Sequence, residues 1–407
     1  MNQPSPAADT LRQRIRERGP ITFAEFMSTA LYHPRGGYYV AVARAAIGAG
    51  GDFYTAPHMH PVFGALLARQ LADCWEHLGR PSPFWAVEPG VGTGRLAADV
   101  LGAAPYLDRS FAQSLRYVGI DHRPPSDSDA FDARWLRANG LPLRRVHGVI
   151  LANELLDAMP VHRVTVAGGR LRELRVTLNA AGDFVEEAGD PSTPALAERF
   201  DDLGIALPEG HRAEVNLGLD AWFRQAADAL DRGWLLLIDY GHDAPAYYDE
   251  SRSRGTLRCY HRHTINANPY AHVGRQDIGA HVEFTSVRRA AEHAGLRLAG
   301  ETTQAVFLRN LGLETYWRAI AGRADLPPAI VRGNAQAVEA LADEQGMGGF
   351  RVLAFAKDAP DSGLAGFSST PRTRLVAYAP LAGPRHMPLP GASPPPPDLP
   401  TWDELLG

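Results

Sequence analysis

Two kinds of apolar pattern alternate along most of the chain. Short continuous apolar runs predict buried strands at 84–88, 116–121, 148–152, 234–238 and 350–356. Stretches in which apolar residues recur about every 3.6 residues predict helices at 21–32, 63–78, 96–101, 219–230 and 285–293. Strands that alternate with helices predict an α/β fold around a mainly parallel, doubly wound sheet.

Several segments depart from this alternation. Between 161 and 187 the apolar period falls to two, which predicts a β-hairpin insertion. The segment 51–61 starts with glycine and ends with proline, so we expect a surface connection in which His58 and His60 are ordinary loop histidines. Gly233 is expected to end the helix at 219–230.

A glycine-rich loop follows the first long apolar run. The run reaches Glu88, and Gly90, Gly92 and Gly94 follow at every second position before a helical stretch. Glycine is required where a loop adopts φ > 0 and where a ligand must contact bare backbone. Strand, glycine loop and helix together are typical of the opening unit of a nucleotide-type α/β domain.

The spacing and charge of this loop favour one class of ligand. In the dinucleotide pattern G-x-G-x-x-G the third glycine would fall on Arg95 or on Ala97, and alanine is tolerated there, so spacing alone leaves a dinucleotide open. The fuller pattern E-x-G-x-G-x-G, with Glu88 first, resembles motif I of class I S-adenosylmethionine (SAM) methyltransferases. SAM is a sulfonium cation without phosphates, so an acid beside the loop suits it and would repel a pyrophosphate. An ordinary glycine-rich turn is the alternative.

A second acid ends the next predicted strand. Asp121 lies at the carboxyl end of 116–121, where an acid in such folds accepts hydrogen bonds from ribose hydroxyls. A turn-forming aspartate before His122 is the alternative. With the glycine loop in place, we predict the ribose role.

Longer stretches of the chain resemble MidA-like methyltransferases, the family that includes a mitochondrial methyltransferase of complex I assembly. The matching stretches, which lie between residues 20 and 357, are Gly51–Pro57, Glu88–Gly94, Ala152–Pro160, Leu236–Gly241, Asp277–Phe284 and Met347–Leu353. His58 stands where the family usually has glutamate, and the last fifty or so residues match no pattern of the family.

This resemblance implies a fold, a cofactor and an acceptor. The fold is a class I methyltransferase-like, doubly wound, seven-stranded sheet whose last strand is antiparallel. The cofactor is SAM, contacted also by Asp52, Thr55 and Asn153, and the acceptor is a protein arginine. The implied domains are a helical and loop segment covering the site (1–80), a SAM-binding domain (81–357) with an insertion at about 161–215 and a lid at about 255–283, and a proline-rich tail (358–407). We expect residues beyond about 360 to be dispensable for SAM binding, because they lack core patterning.

Acidic residues after the strand 148–152 are the candidates for binding the acceptor. Asn153 and Glu154 lie at the sheet edge where ligands bind, and they resemble motif IV, where the acceptor meets SAM. Asp157 follows three residues later, so one helical turn would put both carboxylates on one face. A guanidinium is protonated and pairs with carboxylates, so Glu154 and Asp157 are the predicted catalytic acids. Asparagine and aspartate capping a helix are the alternative.

Other acids and two rival functions stay open. Asp277 and Glu283 are reserve acids. One rival is a methyltransferase for a small hydroxyl or carboxyl acceptor, in which His281 or His58 acts as the base, so His281 is a third candidate catalytic residue. The other rival is a non-catalytic, SAM-binding assembly factor.

Composition and charge limit the kinds of partner and the location that we expect. The 407 residues are 45% hydrophobic and 21% charged, as in a globular protein. The net charge of -5 gives no reason to expect nucleic acid or an anionic membrane as partner, so the expected partners are a protein substrate or a small acceptor, and a second copy in a homodimer. The two cysteines and the many histidines show no metal-site spacing. The N-terminus lacks an apolar signal core, which predicts a cytoplasmic protein; a mitochondrial presequence is the alternative.

Overall fold

The computed structural model describes residues 5–41, 55–125, 134–262, 264–368, 379–383 and 386–387. The helices of these ranges are α1 (Pro6–Arg18), α2 (Phe23–Tyr32), α3 (Tyr38–Ala41), α4 (Ala56–Met59), α5 (Val62–His77), α6 (Arg95–Leu107), α7 (Arg109–Ser114), α8 (Ala195–Leu203), α9 (Leu219–Ala229), α10 (Ala244–Tyr247), α11 (Phe284–His293), α12 (Gln304–Asn310), α13 (Leu313–Ala321) and α14 (Pro328–Ala340). The strands are β1 (Ile21–Thr22), β2 (Phe84–Pro89), β3 (Leu115–Asp121), β4 (Arg134–Arg137), β5 (Val146–Asn153), β6 (His162–Ala167), β7 (Arg170–Leu178), β8 (Phe184–Gly189), β9 (Arg212–Val215), β10 (Leu230–Asp239), β11 (Gly241–His242), β12 (Arg258–His261), β13 (Thr264–Asn266), β14 (Asp277–Gly279), β15 (Val282–Glu283), β16 (Arg297–Thr303) and β17 (Arg351–Lys357).

The chain divides into two compact units. The seven-stranded unit comprises Ile47–Leu155, Phe223–Tyr240 and Ala291–Gly407. The insertion unit comprises Met1–Ala46, Leu156–Trp222 and Gly241–Ala290.

A seven-stranded sheet forms the centre of the first of these units, in the order β16-β17-β10-β5-β2-β3-β4. Strands β4, β3, β2, β5 and β10 run parallel, whereas β17 is antiparallel to both of its neighbours. The predicted doubly wound, seven-stranded sheet with one antiparallel strand is therefore confirmed. Because parallel strands end at one edge, β2, β3 and β5 bring their carboxyl ends together, where α/β sheets bind ligands.

Apolar side chains cover both faces of this sheet. Ala86, Val149 and Ala354 belong to one core cluster with residues of α5, α6 and α12. Neighbouring strand residues point to opposite faces, so Phe355 faces the other side, where its ring packs edge-on against Phe223 of α9 with 5.8 Å between centroids. Helices therefore lie on both faces, as in doubly wound folds.

Gly233 lies inside a strand, so its predicted role as a helix stop is wrong. Strand β10 begins at Leu230, and Gly233 pairs with Gly148 of β5. A Cβ on Gly233 would lie 1.8 Å from the Gly148 carbonyl oxygen. The sequence could not separate the two roles, because both a helix stop and a close strand contact require a residue without a side chain.

The predicted hairpin insertion is present in the insertion unit as an antiparallel sheet. Strand β7 pairs with β1, β6 and β8, and β6 also pairs with β9. Two further small sheets, β13-β12-β14 and β11-β15, complete this unit.

Described residues after β17 are buried in the seven-stranded unit, although the sequence shows no core patterning there. Leu364 and Ala365 are each only 2% exposed. The Ala365 N–H donates to Asp73 Oδ2 and the Gly366 N–H donates to Gln70 Oε1, both at 2.8 Å. The apolar pattern missed this segment because small residues and backbone hydrogen bonds hold it in place.

Candidate functional site

The glycine loop after β2 has the conformation that its sequence predicts. Gly90, Gly92 and Gly94 have φ of 73°, 55° and 82°, a region that residues with side chains rarely adopt. A Cβ on Gly90 would lie 2.8 Å from Leu155 Cδ1. Helix α6 begins at Arg95, directly after the loop, so the loop presents bare backbone and a helix N-terminus.

Asp121 lies against this loop. Its Oδ2 accepts a hydrogen bond from the Gly92 N–H at 2.9 Å, and its Oδ1 accepts one from the His122 N–H at 2.6 Å. Burial raises the pKa of the Asp121 carboxyl, and the two N–H donors oppose that shift. The structure thus brings together the glycine loop and Asp121, the two sequence features that were assigned to SAM.

Glu88 is almost fully enclosed, with 4% of its surface exposed. The Tyr117 hydroxyl donates to its Oε2 at 2.7 Å. Burial raises the pKa of Glu88 to about 8, against the opposing hydrogen bond from Tyr117, and Asp121 adds to the rise. Tyr117 was not identified from the sequence as a partner of Glu88. The period of two along a strand could have indicated it: Glu88 pairs with Gly119 of β3, and Tyr117, two residues before Gly119, points to the same face of the sheet as Glu88.

The loop that precedes α5 is buried instead of exposed. Asp52 lies outside the described residues, but Thr55 and His58 are 7% and 6% exposed and His60 is fully buried. The prediction of two ordinary surface histidines is therefore wrong. His60 Nε2 lies 2.9 Å from Asn334 Oδ1, a partner far away in the sequence that no local pattern could reveal.

Asn153 and Glu154 connect the tip of β5 to this buried loop. Glu154 Oε1 accepts from the Ala56 N–H and from Asn153 Nδ2, both at 3.2 Å. The Glu154 N–H donates to the Ile238 carbonyl of β10 at 2.8 Å. Both residues therefore lie in the seven-stranded unit, at the carboxyl edge of its sheet.

The helical turn that was expected to align Glu154 with Asp157 does not form. Glu154 has φ of 47°, in the left-handed region, and bends and turns connect β5 to β6. Asp157 belongs to the insertion unit, where its carbonyl accepts from the Ala280 N–H at 3.0 Å. The shared-face argument for this pair is therefore wrong.

The insertion unit holds the reserve acid Asp277 against a tyrosine. The Tyr39 hydroxyl donates to Asp277 Oδ1 at 2.7 Å, and the Tyr39 ring stacks on Tyr32 with 5.7 Å between centroids. Burial raises the pKa of Tyr39, and the charges of Asp277 and Asp157 add to the rise. The unit thus combines Asp157 with the reserve acid Asp277 and aromatic rings.

The remaining predicted residues lie elsewhere in the insertion unit. The His281 ring lies 5.5 Å from that of His242, and burial lowers the pKa of His281 to about 3, with His242 adding to the shift. The reserve acid Glu283 accepts N–H bonds from Thr285 and Ser286 at the start of α11. Within the described ranges, no group of three or more His, Cys, Asp or Glu is placed to hold a metal ion.

The fold and the glycine loop define a class I SAM-binding α/β protein. The chain belongs to the S-adenosyl-L-methionine-dependent methyltransferase family whose model matches residues 66–302. Its sequence is 32% identical to that of a "likely methyl transferase" from Burkholderia thailandensis, whose crystal structure contains bound S-adenosyl-homocysteine. The structural match covers 92% of this chain and 99% of that chain, with a TM-score of 0.79.

Curated relatives extend this similarity. "Protein arginine methyltransferase NDUFAF7 homolog, mitochondrial" from Drosophila melanogaster is 30% identical over 337 residues, which are 75% of this chain and 74% of the relative. "Protein arginine methyltransferase NDUFAF7, mitochondrial" from Homo sapiens is 28% identical over 364 residues, 80% of this chain and 78% of the relative. The protein is a SAM-dependent methyltransferase.

The residues of the glycine loop suit this cofactor. A Cβ on Gly90 would crowd Leu155, so the loop requires glycine there, and two acids adjoin the loop: Glu88, which is buried, and Asp121, which is half-buried. Carboxylates attract a sulfonium and an ammonium and repel phosphates.

Glu88 should make SAM binding depend on pH. With a pKa of about 8, Glu88 is mostly protonated in the free protein at pH 6 to 7. A bound cation favours the carboxylate and lowers that pKa, so binding releases a proton and the affinity should rise with pH below 8, by up to about tenfold per unit. Calorimetry at several pH values, in buffers of different ionisation enthalpy, measures both effects.

The matched control for this prediction is Glu88→Gln, which keeps the shape but cannot titrate. Its affinity should lose the pH dependence and the proton release. An equal slope in the wild type and the variant would assign the titration to another group.

Proposed function

We propose that the protein transfers methyl groups from SAM to arginine side chains of a protein substrate. The observation that carries this proposal is the buried carboxylate of Asp277, whose Oδ1 accepts a hydrogen bond from the Tyr39 hydroxyl at 2.7 Å. It occurs in a chain that resembles, over most of its length, proteins named protein arginine methyltransferases.

The proposed cofactor contacts come from three parts of the chain. The backbone of Gly90, Gly92 and Gly94 faces the amino-acid portion of SAM, and Asp121 accepts the ribose hydroxyls. Glu88 supplies negative charge beside the loop once the bound cation has displaced its proton. The remaining proposed contacts, from the first loop and the β5 tip, are Asp52, Thr55 and Asn153.

The chemistry requires little from the protein beyond alignment and charge. SAM, when bound, supplies a methyl group that its sulfonium already activates for in-line displacement. A guanidinium nitrogen must present its lone pair to that carbon and then lose a proton. Glu154 and Asp157 are the proposed acids, because a carboxylate both holds a guanidinium by charged hydrogen bonds and accepts the released proton. Asp277 and Glu283 stay in reserve.

The structure gives less support to the rival function, in which a histidine base helps to methylate a small hydroxyl or carboxyl acceptor. Burial lowers the pKa of both His281 and His58 to about 3. A base with that pKa removes protons poorly at neutral pH, because an efficient general base has a pKa near the working pH. Both ring nitrogens of His58 are also hydrogen-bonded already.

The test is direct detection of the methylated product. The protein, incubated with methyl-labelled SAM and a bacterial cell extract, should produce labelled methylarginine after acid hydrolysis, as seen by mass spectrometry. Gly92→Val, which forces a side chain into a loop at φ of 55°, should abolish the label.

Two results would contradict the proposal. Label on a small hydroxyl or carboxyl compound, with no methylarginine, would favour the small-acceptor enzyme. SAM binding without any transfer would favour the non-catalytic assembly factor.

The proposed partners are a protein substrate and a second copy of the chain. No helix in the described ranges is long and apolar enough to cross a membrane. The relatives are named as mitochondrial proteins, and a cytoplasmic location stays our proposal for this chain.

A further inference from the structure

Three polar side chains connect the first loop to the glycine loop. His58 Nδ1 lies 2.9 Å from Thr55 Oγ1, and His58 Nε2 lies 3.0 Å from Thr93 Oγ1. Thr55 immediately precedes α4 and His58 lies within α4, whereas Thr93 lies between Gly92 and Gly94. The His58 ring therefore bridges two segments that are both proposed to contact the cofactor.

The environment of His58 suits a structural link better than a proton acceptor. The side chain is 6% exposed, and both of its nitrogens already have partners. Burial lowers the pKa of His58 to about 3, and His386 and Arg95 add to the shift. A neutral imidazole donates from one nitrogen and accepts at the other, which matches one hydroxyl on each side.

The glycine loop needs such a link because its glycines have no side chains. Within Gly92–Gly94 only Thr93 carries a side chain by which the loop can be held. Asp121 holds the Gly92 N–H on one side, and His58 holds Thr93 on the other. The N–H groups of Gly90 and Val91 also donate to the Ile120 carbonyl and hold the start of the loop. The His58 contact is the side-chain contact that fixes its second half, where flanking glycines tolerate many backbone conformations.

The C-terminal segment covers the same residues. The Met387 N–H donates to the His58 carbonyl at 2.7 Å, and His386 Nε2 lies 3.2 Å from Asp99 Oδ2 on α6. Arg95, at the start of α6, donates to the other oxygen of Asp99 at 2.8 Å. The His58 link is thus enclosed by chain from the far end of the sequence.

We propose that His58 is a positioning residue of the cofactor site, which fixes the glycine loop through Thr93 and holds it against the Thr55 loop. It acts on SAM affinity by ordering the loop before the cofactor arrives. This role differs from that of a catalytic base, because His58 itself transfers no proton.

Binding of S-adenosyl-homocysteine tests this proposal without any methyl acceptor. Thr93→Val removes the hydroxyl but keeps the branched shape. It loses the contact with His58 and a longer bond from the Arg95 N–H at 3.3 Å, and it should weaken the affinity about five- to tenfold. Thr93→Ser keeps the hydroxyl and should stay within about twofold of wild type. His58→Gln cannot reach both threonines and should resemble Thr93→Val. Titration calorimetry gives all three values.

A double-mutant cycle and a cofactor-free readout complete the experiment. Because His58 and Thr93 share one contact, the double variant should bind S-adenosyl-homocysteine with about the same affinity as the single variant that binds it more weakly. Hydrogen exchange of the 90–95 amides, measured without cofactor, should be faster in Thr93→Val than in Thr93→Ser. Thermal unfolding verifies that each variant is folded. If His58→Gln does not fold, the comparison of Thr93→Val with Thr93→Ser still tests whether the Thr93 hydroxyl orders the loop.

Three outcomes would overturn the proposal. Wild-type affinity in Thr93→Val would show that the link does not order the loop. Equal losses in the Val and Ser variants would show that the hydroxyl is irrelevant, and additive losses in the double variant would show that His58 and Thr93 act separately.

Discussion

Replacing Asp157 by asparagine should lower methyl transfer by at least about a hundredfold, which corresponds to roughly 2.7 kcal/mol of activation barrier. The amide keeps the shape of the side chain but cannot pair with a guanidinium or take its proton. Affinity for S-adenosyl-homocysteine should remain close to wild type, since Asp157 is not among the proposed cofactor residues. Single-turnover transfer and calorimetry measure the two quantities separately.

Glu154→Gln is the companion variant, and it should show an equal loss of transfer. Its Oε1 already accepts from Ala56 and Asn153, and a glutamine carbonyl oxygen can still accept both bonds. A large loss of cofactor affinity in this variant would move Glu154 into the cofactor site. Full transfer activity in both variants would exclude the pair and direct attention to Asp277 and Glu283.

The features that were predictable from the sequence are those specified by local pattern. The α/β class of the sheet around the glycine loop follows from apolar runs that alternate with amphipathic helices. The loop conformation follows from glycine itself, because Gly90, Gly92 and Gly94 adopt φ values that few other residues tolerate. The position of Asp121 at the carboxyl end of a strand also followed from the apolar run, and the structure adds its contact with the Gly92 N–H.

The features that sequence reasoning missed depend on distant contacts. His58 and His60 are buried by partners such as Thr93 and Asn334, which lie 35 and 274 residues away in the chain. The turn at Glu154 requires a positive φ in a residue that gives no sign of it. In each case the determining interaction is tertiary, and periodicity carries no information about it.

Ending the chain after residue 358 should severely destabilise the protein, although the sequence suggested a dispensable tail. The truncation exposes the contact surface of Leu364, which is 2% exposed; burying such a side chain contributes about 1.5–3 kcal/mol. It also removes the N–H donors that Ala365 and Gly366 provide to Asp73 and Gln70; leaving buried acceptors short of a partner costs about 1–3 kcal/mol. The sum approaches the total stability of many domains, about 5–15 kcal/mol. Urea unfolding should show the loss, or the protein should be recovered only in insoluble form.

A shorter truncation and a point variant identify which contacts of the C-terminal segment stabilise the fold. A chain that ends after Met387 retains every described residue and should unfold at the same urea concentration as the full-length protein. Leu364→Ala, within the full chain, should cost about 2–4 kcal/mol, because it leaves a cavity that the surrounding core fills only in part. Unchanged stability in the chain that ends at residue 358 would show that the packing of 359–368 contributes no net free energy.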